Sequence, residues 1–143
     1  MILVDVNILV YASNAESDHH AAARDRLDHQ LNGSAPIGLP WASLLAFLRI
    51  ATNTRAFRSP LTIAVAWQQV SSSISAETAW TPEPTNRYPA VQGDLLAHPG
   101  VHGNLVPDAH LAALAIEHGL TLCSTDGDFA RFPGLHWRNP LTS

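Results

Sequence analysis

The chain has 143 residues, 46% of them hydrophobic, and a formal charge of −4. That length suits one domain burying roughly two thirds of its unfolded surface. The apolar content excludes disorder, and the acidic balance excludes broad nucleic-acid binding through a basic face. All eight cationic side chains are arginine, so a lysine-bearing phosphate loop and Schiff-base chemistry are excluded as well. The apolar runs fall far short of the ~20 residues a membrane helix needs, and Asp5 interrupts the first of them too early for a signal peptide. A cytoplasmic protein with no membrane association is expected, in keeping with a lone cysteine, Cys123, that cannot form an internal disulfide.

In chain order, Ile2, Leu3 and Val4 are β-branched or leucine and predict a short buried strand, with Asp5 at its carboxyl end. Ser17 or Asp18 is placed to cap a helix over 19–32, which Gly33 stops. Residues 37–39 predict a second strand. Residues 41–52 predict a helix with Trp41, Leu44, Leu45, Leu48 and Ala51 on one face. Pro60 opens another helix reaching about Ile74, and Ala79 with Trp80 forms a third strand. Pro82, Pro84 and Pro89 mark a loop into a helix that ends near Ala97. Pro99, Gly100 and Gly103 break residues 98–106 into a second loop. A helix over 108–118 ends at Gly119 as its C-cap. A strand over 120–124, a turn, a short helix and a last strand near Trp137 complete the chain. Strands alternating with helices predict an α/β domain with a mainly parallel sheet, whose ligand crevice lies beyond the carboxyl ends of the strands.

Each candidate acid has an ordinary structural use. Asp5 suits the cap of a helix beginning near Asn7, Asp108 an N-cap or first-turn acid, and Asp126 and Asp128 turn positions beside Gly127. Together they are harder to explain, since carboxylates sharing one crevice repel each other and rise in pKa unless a cation joins them. Such hard oxygen donors suit Mg²⁺ or Mn²⁺, ions that activate water and stabilise charge on a phosphodiester. His98 and His102 lie in a Pro/Gly loop with no cysteine pair, which argues against zinc. Trp41 and Trp67 fall in helical patterns as core or dimer contacts.

The segments MILVDVNILVYA, FLRIATNTRAF, NLVPDAHLAALAIEHG and STDGDFARFPGL together resemble PIN-domain ribonucleases, in particular the VapC-type toxins of bacterial toxin–antitoxin pairs. The resemblance spans essentially the whole chain as a single domain, 1–143. It implies a three-layer α/β/α sandwich, a Mg²⁺- or Mn²⁺-dependent endoribonuclease acting on RNA, an inhibitory antitoxin partner and a homodimer. It also implies that Asp5, Asp108 and Asp126 hold the metal, with Asp128 as a catalytic helper and Asn7 as the small polar residue beside the first acid. One position departs from the pattern: where many members carry a glutamate three residues before an arginine, this chain has Ala46 before Arg49. One well-bound ion is the resulting expectation, with Arg49 and Asn53, on the same helical face as Ala46, contacting RNA phosphate. Arg55 and Arg58 suit a local basic rim. The missing glutamate favours the alternative of a noncatalytic PIN-like module that binds RNA or protein, while the retained acids favour the enzyme. A phosphoacceptor receiver domain fits less well, because it needs a lysine.

Overall fold

Adjacent residues Leu3 and Val4, both essentially inaccessible, serve two different cores. Side chains alternate along a strand, so a strand apolar at consecutive positions must be covered on both faces. The computed structural model, described for residues 1–142, shows that arrangement. Strands β1 (Ile2–Val4), β2 (Ile37–Gly38), β3 (Ala79–Trp80), β4 (Thr121–Cys123) and β5 (His136–Arg138) form one parallel sheet in the order β3-β2-β1-β4-β5. Val4 packs with Ile8, Leu44, Phe47 and Val70 of helices α1 (Val6–Ser13), α3 (Trp41–Ala51) and α4 (Ile63–Ile74), which with α2 (His20–Leu31) cover one face. Leu3 packs with Leu95 of α5 (Tyr88–Leu96) and with Leu111, Ala112 and Leu114 of α6 (Leu105–His118) on the other. The expected three-layer α/β/α sandwich is therefore present. No helix among the described residues is long and apolar enough to cross a membrane.

Strand order places the crevice. From β1 the chain moves outward through β2 and β3, then returns to pair β4 on the opposite side of β1. The reversal lies between β1 and β4, where the loops leaving both strands diverge and leave an opening. Asp5 follows β1 and Asp126 follows β4, so both acids stand at this switch point.

Several expected boundaries shift for local reasons. Asp5 caps α1, which starts on the next residue without a linker; its side chain accepts a hydrogen bond from Val6 N at 2.7 Å. Thr62, rather than Pro60, starts α4, its Oγ1 accepting from Val65 N at 3.2 Å. The cap position of α2 falls on His19, and Ser17 Oγ accepts from His19 N in the preceding turn. α6 begins one turn before Asp108, with Pro107 inside its first turn, where a missing N–H costs nothing. Asp108 is thus not the N-cap, a position that Asn104 occupies. On α3 the buried side chains are Ser43, Leu44, Phe47 and Ala51, whereas Leu45 is 58% exposed. The helix turns Phe47 inward in its place. Trp67 also lies outside the core, 47% exposed, with Trp41 stacked against it at 6.4 Å between ring centroids.

Gly38 of β2 is required by close approach: an added Cβ would lie 3.0 Å from Pro82 Cγ and 3.1 Å from both Ile2 O and Leu3 Cδ1. The Gly38→Ala variant is expected to lose roughly 1–3 kcal/mol of stability, read as a lower urea midpoint at unchanged m-value; an unchanged midpoint would show that the sheet can widen there.

Candidate metal centre

At the switch point the acids are held by the ends of β1 and β4. Asp5 is only 7% exposed. Besides its bond from Val6 N, its Oδ2 accepts from Ser124 Oγ at 2.7 Å and from Asn7 Nδ2 at 3.3 Å. Ser124, fully buried just past β4, is the hub of this network. Its hydroxyl donates to Asp5 while accepting from Asn7 Nδ2 at 2.9 Å and from Asp126 N at 3.0 Å. One donor and two acceptor sites are thereby all used. Asn7 Oδ1 also accepts from Thr125 N at 3.2 Å, so the residue beside the first acid stitches the two loops together. Sequence reasoning overlooked Ser124. Its only local signal is a small hydroxyl residue at a strand end, two positions before an acid.

Asp126 continues the network. Its Oδ1 accepts from Asp128 N at 2.9 Å and so starts the short 3₁₀ helix Gly127–Arg131. Asp108 projects from the first turn of α6. Asp108, Asp126 and Asp128 each offer a carboxylate oxygen within 4.8 Å of the other two, a spacing suited to one small cation. Asp5 stands outside that trio, its carboxylate engaged by Val6, Ser124 and Asn7.

The electrostatics match a site short of positive charge. Burial raises Asp108 to about 6, with Asp126, Asp5 and Asp128 adding to the rise and Arg131 opposing it. Asp5 is also raised, mainly by burial and further by Asp126, against the lowering effect of its bonds from Ser124 and Val6. An all-carboxylate donor set of this kind fits a hard divalent ion, which would relieve the repulsion directly.

The remaining expected residues divide. Ala46 is half-buried on α3, one turn beyond Ser43, whose hydroxyl donates to Val4 O at 2.8 Å and moors the helix beside Asp5. α3 carries no carboxylate at all. Asp28 pairs with Arg24 on α2, and Glu77 lines a groove with Met1 and His118, so neither is placed to replace the missing acid. Arg49 is exposed and has no ion-pair partner among the described residues. Asn53 does not share its helical face, because α3 ends at Ala51; Asn53 Oδ1 instead accepts from Arg55 N at 2.8 Å in the following turn. His98 and His102 lie exposed in their loop, apart from the acid trio.

Comparison with known proteins agrees with this geometry. Residues 2–135 match the PIN domain. The chain belongs to the PIN-domain family. Among PIN proteins, Ribonuclease VapC37 of Mycobacterium tuberculosis is 42% identical over 140 residues, covering 98% of this chain and 97% of that protein. Ribonuclease VapC43 of the same organism is 41% identical, covering 99% and 96%. Similar folds include VapBC2 from Rickettsia felis bound to a promoter DNA fragment, with a TM-score of 0.67 at 20% identity over 97% of this chain and 98% of that one. The sarcin–ricin-loop-cleaving toxin VapC20 of M. tuberculosis has a TM-score of 0.66 at 18% identity, covering 95% and 99%.

The raised acids make the metal-free PIN fold pH-sensitive with a defined sign. Between its ordinary value of 3.8 and about 6, folded Asp108 holds a proton that the unfolded chain has released, so its contribution to stability falls as pH rises through that window. At pH 7 in chelator, Asp108→Asn should therefore melt higher than wild type by roughly 2–5 °C, with the gain shrinking towards pH 4. A lower or unchanged melting temperature at pH 7 would show that burial and the neighbouring acids place no net penalty on ionised Asp108.

Proposed function

We propose that this chain is a divalent-metal-dependent endoribonuclease and the toxin of a VapBC-type pair. The observation that carries the reading is the convergence of Asp108, Asp126 and Asp128 beside buried Asp5 at the switch point of the sheet. Curated relatives covering nearly the full chain bear the name ribonuclease VapC, which supports RNA as the substrate class. Solved structures described as VapBC and FitAB support an antitoxin partner, and the homodimer is part of the same reading.

In this reading Asp108, Asp126 and Asp128 hold one Mg²⁺ or Mn²⁺, and Asp5 contributes its negative charge from the floor of the site. Held there, such an ion would activate water and offset charge on the phosphoryl oxygens. Asp128, the most exposed of the acids, accepts a hydrogen bond from the attacking water and aligns it with phosphorus. Ser124 and Asn7 keep Asp5 oriented, so the floor does not rearrange as charge develops above it. Arg49 neutralises a backbone phosphate from α3. Asn53 contributes its Nδ2, because its Oδ1 is already used by Arg55 N. Ala46 leaves α3 without a carboxylate, which favours one ion over two. The same absence favours a noncatalytic binding module as the second reading.

Cleavage of purified tRNA, rRNA and mRNA in Mg²⁺, Mn²⁺ or chelator separates the two. Cutting should require the ion, and Asp5→Asn and Asp108→Asn should each lower it by about 100-fold or more while circular dichroism stays native. Undiminished cleavage by protein verified free of metal would end the mechanism, and binding of RNA with no cleavage in any metal would establish the module instead.

A further inference from the structure

Arg131 is the arginine in direct contact with the acid cluster. Arg24, Arg26, Arg58 and Arg87 are engaged by other partners away from it. Arg131 Nε donates to Asp128 O at 3.3 Å and its Nη2 to Asp128 Oδ1 at 3.4 Å. The other side of the guanidinium faces the loop before α6, where a Cβ on Gly100 would stand 3.8 Å from Nη1. Nη1 makes no hydrogen bond among the described residues.

Stability gives little reason for this arrangement. The ion pair is long, uses one carboxylate oxygen, and leaves its side chains 41% and 54% exposed, conditions under which such pairs hold weakly. Position gives a stronger reason. The guanidinium lies between the 3₁₀ helix and the loop leading into α6, beside Asp128, and its charge acts on Asp108. Without a metal ion, it is the cation that partly offsets the acids. Once Asp128 shares its charge with a divalent ion, that need falls, and a planar fork of N–H donors is left beside the place where a phosphodiester must lie. Guanidinium matches phosphate geometry bidentately, which the present one-oxygen contact to Asp128 does not use.

We infer that Arg131 is a substrate-positioning residue, whose guanidinium binds an RNA backbone phosphate adjacent to the scissile one when the acid cluster holds its cation. The assignment rests on the ribonuclease reading above and adds a contact that the sequence pattern did not single out.

The test uses Asp5→Asn protein in excess Mg²⁺, with the trio Asp108, Asp126 and Asp128 intact, and a fluorescent random-sequence 20-nucleotide RNA as the probe. Anisotropy titrations across a NaCl series give Kd and its salt slope, and calorimetry gives Mg²⁺ affinity. Adding Arg131→Ala should raise Kd about tenfold and reduce the salt slope by about 0.7, the value of one lost phosphate contact on single-stranded RNA. Adding Arg131→Lys instead should restore the slope but only part of the affinity, because lysine keeps the charge and lacks the fork. An unchanged Kd and slope would overturn the assignment. So would a higher Kd at unchanged slope, the signature of a purely structural defect. Tighter Mg²⁺ binding with RNA affinity unmoved would make Arg131 only an internal counter-ion. Wild-type protein run alongside reports on the wider reading: RNA cleavage with an unmoved slope overturns the arginine assignment alone, whereas neither cleavage nor RNA binding overturns both.

Discussion

Mutual repulsion among four carboxylates is the constraint around which this molecule is organised. Asp5, Asp108 and the pair Asp126 and Asp128 come from three separate points in the chain and would drift apart if their supports were soft. The supports are stiff. β1 and β4 are paired in parallel at the centre of the sheet, and Leu3 and Val4 commit β1 to a packed core on each face. α6 is buried along most of its length, which fixes where Asp108 emerges. The raised pKa of Asp108, about 6, reflects its burial first and the neighbouring acids Asp126, Asp5 and Asp128 second. Packing holds together what electrostatics would separate, and in the proposed reading a bound cation would relieve that repulsion.

Ser124 shows how the frame is transmitted to the chemistry. Its hydroxyl joins Asp5, Asn7 and the backbone of Asp126, so the ends of two strands share one buried polar junction. Trp137 on β5 adds a bond from its Nε1 to Ser124 O at 3.1 Å, extending the junction to the edge of the sheet. Ser43 does the corresponding work on the other side by bonding Val4 O. The acids therefore sit on strand and helix ends rather than on free loops, which is where preorganised sites are most easily kept.

Much of this was legible in the chain. Apolar runs that end in an acid announced both the strands and the crevice, because a carboxylate beside a buried strand needs a reason. Asp5 and Asp126 were readable on that basis, and so was the parallel sheet that unites them. What stayed hidden depended on tertiary contact. Ser124 looks like any strand-end serine until Asn7 and Asp5 are brought to it across more than a hundred residues. α1 was readable as a helix near Asn7 capped by Asp5, and only its start was missed, because it follows Asp5 without the loop that normally separates a strand from a helix. Leu45 and Phe47 lie on nearly opposite sides of the wheel, and α3 is apolar on both, so packing decides which of the two faces turns inward. Asn53 matched the helical face only while the helix was assumed to continue, and α3 ends before it. Arg131 reads as an ordinary surface arginine until the fold sets it between Asp128 and the loop before α6.

Ala46 stands on a helix that brings no acid to the centre. A helix with no carboxylate leaves the acids concentrated on the β1, β4 and α6 side, where three of them meet within 4.8 Å. One cation can satisfy that trio, and among the described residues no matching set stands opposite for a second. Calorimetric titration of Mn²⁺ into wild-type and Asp108→Asn protein at pH 7 tests this most directly. One ion bound per wild-type chain, with binding weakened strongly by Asp108→Asn, is the predicted result. No binding, or binding that Asp108→Asn leaves untouched, would contradict the claim that the converging acids form a metal centre.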